Sequence, residues 1–241
     1  MAFMKSLSIQ LEESVLRRVV KRLHYPLDVM LLCVRWYAAY ALSLRNLEEM
    51  MAERGVEVDH TTVHRWAVRI LPVLAKVLRH RKRPVGRSWR MDETYIQVGK
   101  QWKYLYRAVD RLGHTVDFLL TAKRDHAAAR RFFERAIGAH DVPEKITIDK
   151  SGANTAAVRS MVADSGVDIM LRQSKYLNNL VEQDHRAIKR ITRPMLGFKN
   201  FHCAAKIIAG IETMHMIKKG QLQCSNGEVA SAAEQFYSLA F

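Results

Sequence analysis

The sequence has no long apolar run, few cysteines and a deficit of acidic side chains, and each shortage narrows what the chain can be. Its most apolar stretch, Val29 to Val34, is interrupted at Arg35. That is far short of the roughly 20 residues a membrane-spanning helix needs. The amino terminus also lacks the unbroken apolar region of a secretory signal, because Glu12, Glu13, Arg17, Arg18 and Lys21 are set among its leucines. A cytoplasmic protein with no membrane partner is therefore expected. Three cysteines, Cys33, Cys203 and Cys224, are an odd and widely spaced set, which argues for reduced thiols over a disulfide frame. His202, Cys203, His215 and Cys224 contain no close pair at zinc-ligand spacing. Acids are scarce: 24 Asp and Glu face 39 Lys and Arg, a formal charge of +15 in 241 residues. That excess points to a polyanionic partner, foremost nucleic acid.

The periodicity divides the chain. Residues 1 to 24 read as an arm and a short helix with Leu16, Val19, Val20 and Leu23 at helical spacing. Pro26 suits the first turn of a helix continued by Leu27, Met30, Leu31, Val34, Ala38 and Leu42. Ser43 is a good N-cap for a second helix, with Leu44, Leu47 and Met51 inside and Gly55 as its stop. A third begins near Thr61 and carries Val63, Ala67, Ile70 and Leu74 on its core side. Two helices joined by a short glycine-containing turn outline a helix-turn-helix, whose second helix enters the major groove with its leading residues. His60, Thr61, Thr62, His64 and Arg65 are then the candidate readers of DNA bases. A plain helix-packing unit has the same outline, and the charge balance is what favours DNA. From Lys76 to Arg90 the chain holds seven basic residues and no acid, with Pro84 and Gly86 breaking any helix. This reads as a boundary whose Arg81, Lys82 and Arg83 track a phosphate backbone, or simply as a solvated linker.

Beyond it the pattern alternates. Trp89, Met91, Glu93 and Tyr95 point one way, and Asp92, Thr94, Ile96 and Val98 the other. Gly99 and Lys100 turn the chain into a second run, Trp102 to Val109, and Thr115 to Thr121 is a third. A helix capped by Asp125 follows, then a strand from Lys145 to Ile148, a helix from Asn154 to Ala163 and a strand from Val167 to Leu171. Two more helices close the chain, one holding Glu182 and one with Ile207, Ile211, Met214 and Ile217 on its apolar face. The expectation is an α/β fold, a mixed five-stranded sheet with packed helices, preceded by a small all-α domain. Its boundaries are 1–75 for the helical domain, 76–87 for the basic linker, 88–222 for the sheet domain and 223–241 for a tail.

Three carboxylates stand out by position. Asp92 lies inside the first strand, Asp149 just past the fourth, and Glu182 in the helix after the fifth. An unpaired acid in a strand costs desolvation, so Asp92 needs a partner or solvent. Carboxylates converging from three elements suit Mg²⁺ or Mn²⁺ over zinc, and two such ions serve an in-line phosphoryl transfer. In the stretch KYLNNLVEQDHRAIKR, Glu182 shares a helical face with Lys189, with His185 and Arg186 one turn away. Taken alone, Glu182 with Arg186 is also an ordinary solvated ion pair.

The strings RWYAAYALSLRNLEEMMAERGVEVDHTTVHRW, MDETYIQVGKQWKYLYRAVDRLGHTVDFLL, DKSGANTAAV, KYLNNLVEQDHRAIKR and GFKNFHCAAKIIAGIETMHMIKKG together resemble the DDE transposases of bacterial insertion sequences, most closely the IS-six family. The resemblance spans about residues 25 to 220. It implies an RNase H-like sheet domain with Asp92, Asp149 and Glu182 as catalytic acids and metal ligands, and Lys189 as the basic residue that meets DNA near the cut. It also implies action on the terminal inverted repeats of double-stranded DNA, 3′-end cleavage followed by strand transfer, a replicative outcome, and a homodimer or larger synaptic complex. His185, Arg186 and Arg190 would line the DNA. Two features differ from the family pattern: the interval of 33 positions from Asp149 to Glu182 is slightly short, and Ile191 stands where another basic residue is expected. Without those acids, the helical region alone would suit a sequence-specific regulator; a purely hydrolytic nuclease of the same fold is the other alternative. Glu93 and Asp184 are expected to tolerate amidation better than the three catalytic acids.

Overall fold

The computed structural model describes residues 15–20, 23–149, 151–174, 179–223 and 230–241. It divides into two compact units, one made of Met1–Arg83 with Arg190–Phe241, the other of Pro84–Lys189.

In the first unit, α1 (Arg17–Val20) leads to α2 (Leu27–Ala39), α3 (Leu44–Ala52) and α4 (His60–His80). Ser43 caps α3 through a reciprocal box with Asn46. Asp59 caps α4, which starts one residue before the expected Thr61, by accepting from the backbone N–H groups of Thr61 and Thr62. α4 then continues past Pro72 to His80, so the first part of the expected linker is helical. The rest is tied down: Arg83 N–H donates to Gln221 O, and Gln223 N–H to Arg81 O, both at 2.8 Å. The long helix α8 (Phe201–Lys218) belongs to this unit and not to the sheet. It packs against α4 and α2, and at Gly210 the approach is so close that a Cβ would lie 2.5 Å from Leu71 Cδ1. Cys33 is fully buried, with its thiol pKa pushed up to about 11 by that burial, as suits a packing residue. Cys224 lies outside the described residues.

The second unit is built on β1 (Ser88–Val98), β2 (Gln101–Asp110), β3 (Thr115–Thr121), β4 (Lys145–Ile148) and β5 (Met170–Gln173). The sheet order is β3-β2-β1-β4-β5, with β1 antiparallel to β2 and parallel to β4. Gly99 and Lys100, at φ +57° and +62°, form the two-residue turn whose twist matches a hairpin. Trp89 and Met91 of β1, with Tyr106 and Ala108 of β2, face α5 (His126–Ala139) and α6 (Gly152–Ser165), burying Phe132, Phe133, Ala157 and Val158. Asp92 and Arg107 point to the opposite face, where α7 (Asn179–Thr192) packs. Helices on both faces of this mixed sheet make the RNase H-like arrangement. β5 begins at Met170 instead of Val167, because the residues that pair with β4 are 170–173. Among the described residues no helix is long and apolar enough to cross a membrane.

Candidate active site

The register of the sheet brings the first two acids together. Arg90 pairs with Thr147 across the parallel β1–β4 ladder. Two residues further along each chain come Asp92 and Asp149, so the two carboxylates leave neighbouring strands on the same face. Asp149 stands just beyond β4 and is fixed from below, its Oδ1 accepting from Ser151 N–H at 3.0 Å as the chain enters α6.

The third acid arrives on α7, which buries Val181, Asp184, His185 and Ile188 and exposes Glu182, Arg186, Lys189 and Arg190. The burial spacing is that of one helical face. What anchors it is an ion pair: Arg107 of β2, with no side-chain exposure, donates to Asp184 Oδ2 at 3.0 Å. Asp92 lies directly across the β1–β2 ladder from Arg107, so the same anchor holds α7 over Asp92. His185 comes down beside it, its Nε2 3.7 Å from Asp92 Oδ2.

The electrostatics follow from that packing. Burial, then the neighbouring charge of Glu93, with further contributions from Asp149 and Glu182, pushes Asp92 up from 3.8 to about 7. Burial, aided by Arg107 and Lys189, pulls His185 down to about 3 and keeps it neutral. Glu93 points to the other face of the sheet, where its side chain is 4% exposed; it pairs with Arg124 and accepts from Asn154 Nδ2 at 2.9 Å. Burial still raises its pKa, opposed by Asn154 and Arg124. Arg124 also reaches within 3.9 Å of Asp149.

Among the described residues no three His, Cys, Asp or Glu side chains are gathered at metal-binding distances. The chemistry of the donor set nonetheless fits a hard divalent ion. Asp92, Asp149 and Glu182 offer only oxygen, and the proton affinity of Asp92, raised first by burial and by Glu93, is raised further by Asp149 and Glu182, a repulsion that a cation would relieve.

Asp149 and Glu182 thus lie near enough to Asp92 for their charges to add to its raised proton affinity, short of a closed cluster, and Lys189 is exposed two turns beyond Glu182, which itself lies 3.6 Å from Arg186. It does not leave His185 on the DNA side: at 7% side-chain exposure this residue is part of the packing under Asp92. Ile191, where a basic residue was expected, is 7% exposed, a packing position. Asp184 and Glu93, expected to tolerate amidation, are instead the buried partners of Arg107 and Arg124. Arg107, Arg124 and Asn154 were missed. A signal for Arg107 was present, since a charge within the strand YLYRAVD requires a partner by the same reasoning that singled out Asp92.

In the helical unit, Arg65 is exposed at the front of α4. The Thr61 and Thr62 hydroxyls are turned into the cap, donating to Asp59, whose pKa these bonds lower, the Thr61 bond most. His60 is held 3.0 Å from Glu48, and His64 is half-buried, with its pKa lowered by burial and by Lys199. Arg81 donates to Ser238 O at 2.9 Å, Lys82 bridges to Leu222, and Arg83 keeps an exposed side chain.

The DDE domain family of IS240-type transposases matches residues 86–221. Over 194 residues the chain is 37% identical to the transposase for insertion sequence-like element IS431mec of Staphylococcus aureus strain Mu50, covering 80% of this chain and 85% of that protein. Identity and coverage are the same with the transposase for insertion sequence element IS257 in transposon Tn4003 of Staphylococcus aureus. Among solved structures, the HTLV-2 integrase catalytic core domain in complex with magnesium, trimeric form, is similar at TM-score 0.43 and 17% identity, covering 64% of this chain and 99% of that one.

Proposed function

The chain belongs to the DDE transposases of the IS-six family, a class of polynucleotidyl transferases, and on that premise we propose that it cuts the ends of its own element and joins them to target DNA. The observation that supports the reading is the placement of Asp92 on β1 and of Asp149 just past the end of the neighbouring parallel strand β4, on the same face by register, with Glu182 near enough to add to the proton affinity of Asp92.

Asp92, Asp149 and Glu182 would hold Mg²⁺ or Mn²⁺, which supplies charge compensation at phosphorus and an activated attacking oxygen. The remaining work falls to the chain. The buried Arg107–Asp184 pair fixes the height of α7 and so the reach of Glu182 toward Asp92. His185, neutral and apolar in effect, closes the inner side of Asp92 to water. Lys189, Arg186 and Arg190 face outward and hold the phosphate backbone near the cut. Water attacks first and frees a 3′-hydroxyl; that hydroxyl then attacks the target strand, and both displacements are in line at phosphorus. Arg65 reads the terminal inverted repeats, two copies of the chain hold two ends, and the outcome is replicative.

The test uses labelled inverted-repeat duplex, target DNA and Mg²⁺. Wild-type protein should give both cleavage and joined product. Asp92→Asn keeps the side chain's shape and loses its charge, and should lower strand transfer by roughly a thousandfold while repeat binding stays intact. Asp149→Asn and Glu182→Gln should behave alike. Joining by Asp92→Asn at a near wild-type rate would remove it from the site. A mobility shift without cleavage would favour a regulator, and cleavage without joining a nuclease.

A further inference from the structure

The outer half of the β1–β2 hairpin carries a surface that the catalytic reading leaves unused. β1 and β2 pair from Trp89↔Asp110 to Val98↔Gln101. β4 flanks β1 only at residues 88–90, and β3 flanks β2 only from Tyr104 onward. Past those points no strand among the described residues lies beside the hairpin. One of its faces is buried at Ile96 and Val98. The other continues the line of Glu93 and Tyr106 and sets Tyr95 opposite Tyr104, then Gln97 opposite Trp102.

These aromatic rings form a connected group. Tyr95 and Trp102 meet edge to face with centroids 6.4 Å apart, and Tyr95 and Tyr104 lie 5.3 Å apart. Yet they are open to solvent: Trp102 is 62% exposed and Tyr95 47%. Of the four tryptophans, Trp66 and Trp89 are buried and Trp36 lies under Arg54, so only Trp102 is spread on the surface. Cations flank the rings. Arg124 pairs with Glu93, which lies two residues before Tyr95 on the same face of β1, and approaches Asp149; Lys100 and Lys123 are exposed at the turn and next to Arg124 in the chain. The surface therefore starts next to a catalytic acid and runs outward along the hairpin.

Paired DNA hides the faces of its bases in the stack and offers only edges and phosphates, whereas an unpaired base exposes a π face that an aromatic side chain can cover. We propose that Tyr95, Trp102 and Tyr104 form a stacking platform for unpaired bases, with Arg124, Lys100 and Lys123 on the phosphates, so that the DNA end enters the site locally melted. This rests on the transposase reading for the arrival of a DNA end at Asp149. A second copy of the chain is the other occupant such rings would suit, but three cations around them fit a polyanion better.

The experiment takes the full chain in EDTA, where binding is read without cleavage. Three probes are compared: a fully paired inverted-repeat duplex, the same duplex with its last three pairs mismatched, and the same duplex with an oligothymidine extension. Wild-type protein should bind the two unpaired ends more tightly than the paired one, with indole fluorescence quenched only by them. Trp102→Ala should weaken binding to unpaired ends by about tenfold, the effect of removing one stacked base, and leave the paired duplex unaffected. Trp102→Phe should restore most of the loss. Equal losses on all probes, or none, overturn the platform, and so does a Trp102→Ala protein that sediments as a smaller oligomer than wild type. Joining activity, measured separately with Mg²⁺, separates the two ideas. Joining without preference for unpaired ends rejects only the platform, and that preference in a protein that joins nothing supports the platform and counts against the catalytic reading.

Discussion

Arg107 is a full charge placed in the sheet with no solvent, and Asp184 is what makes that tolerable. Asp184→Asn removes the counter-charge and leaves the guanidinium buried, so urea denaturation should show a loss of about 3–5 kcal/mol. Replacing both partners, as Arg107→Met with Asp184→Leu, should restore most of it; an Asp184→Asn protein as stable as wild type would show that Arg107 is served elsewhere. Asp92 gives the opposite sign. Its folded pKa of about 7 stands above the ordinary 3.8, so the folded protein takes up a proton before the unfolded chain does as pH falls. Above pH 7 the ionised group opposes folding, and between 7 and about 4 that opposition disappears. In EDTA, Asp92→Asn should therefore melt higher than wild type at pH 8, with the difference vanishing by pH 4. The depressed His185, which costs stability as pH falls below 6.5, is present in both proteins and drops out of the comparison. A lower melting point for the variant at pH 8 would make Asp92 a structural acid. The three acids stood out in the sequence because a charge inside a strand, just past a strand end or in the first turn of a helix needs a reason. Their supports were not, since only the folded register reveals that Arg107 faces Asp184, 77 positions away.

Elements were readable where local chemistry decides them. The hairpin turn at Gly99 and Lys100, the strand from Lys145 to Ile148 and the cap at Asp125 all follow from side chains within a few residues. β5 was displaced because it is an edge strand with Met170 66% exposed, so its pairing left little trace in apolar alternation. α4 was read short because its last turns are basic on the surface while Leu74 and Leu78 stay buried. Packing between elements is harder still to foresee. Gly210 lets α8 lie against Leu71, a side chain with no exposure, and an added methyl has nowhere to go. Alanine favours a helix over glycine by about 1 kcal/mol, yet Gly210→Ala should destabilise the protein by about 1–3 kcal/mol because overpacking is the larger effect. Leu71→Ala in the same chain should recover part of that loss. A Gly210→Ala variant that melts higher than wild type would mean the helices part easily.

For the whole molecule, the net charge of +15 is the property that sequence gave away most directly, and the structure sorts which cations are free to use it. Arg81 has its guanidinium on Ser238 O, whereas Arg83 has an exposed side chain. Arg83→Ala should therefore reduce non-specific DNA binding and lower the slope of log affinity against log salt by about 1, while Arg81→Ala should change it less. Equal slopes for both variants and wild type would take this segment off the contact surface. The assignment of residues 190–222 to the sheet domain followed chain order, and chain order misleads here, because the boundary falls within α7 and α8 returns to α4. That return has a consequence in time. A ribosome delivers α4, then the entire sheet unit of residues 84–189, and only afterwards the helix that α4 packs against. The sheet unit has all its strands as soon as it emerges, but until α8 appears α4 keeps a bare apolar flank. A chain stopped between residues 190 and 200 already carries the whole sheet unit with Asp92, Asp149 and Glu182, while the helical unit that holds Arg65 still lacks its longest packing partner, so the acids are in place before that unit can be completed.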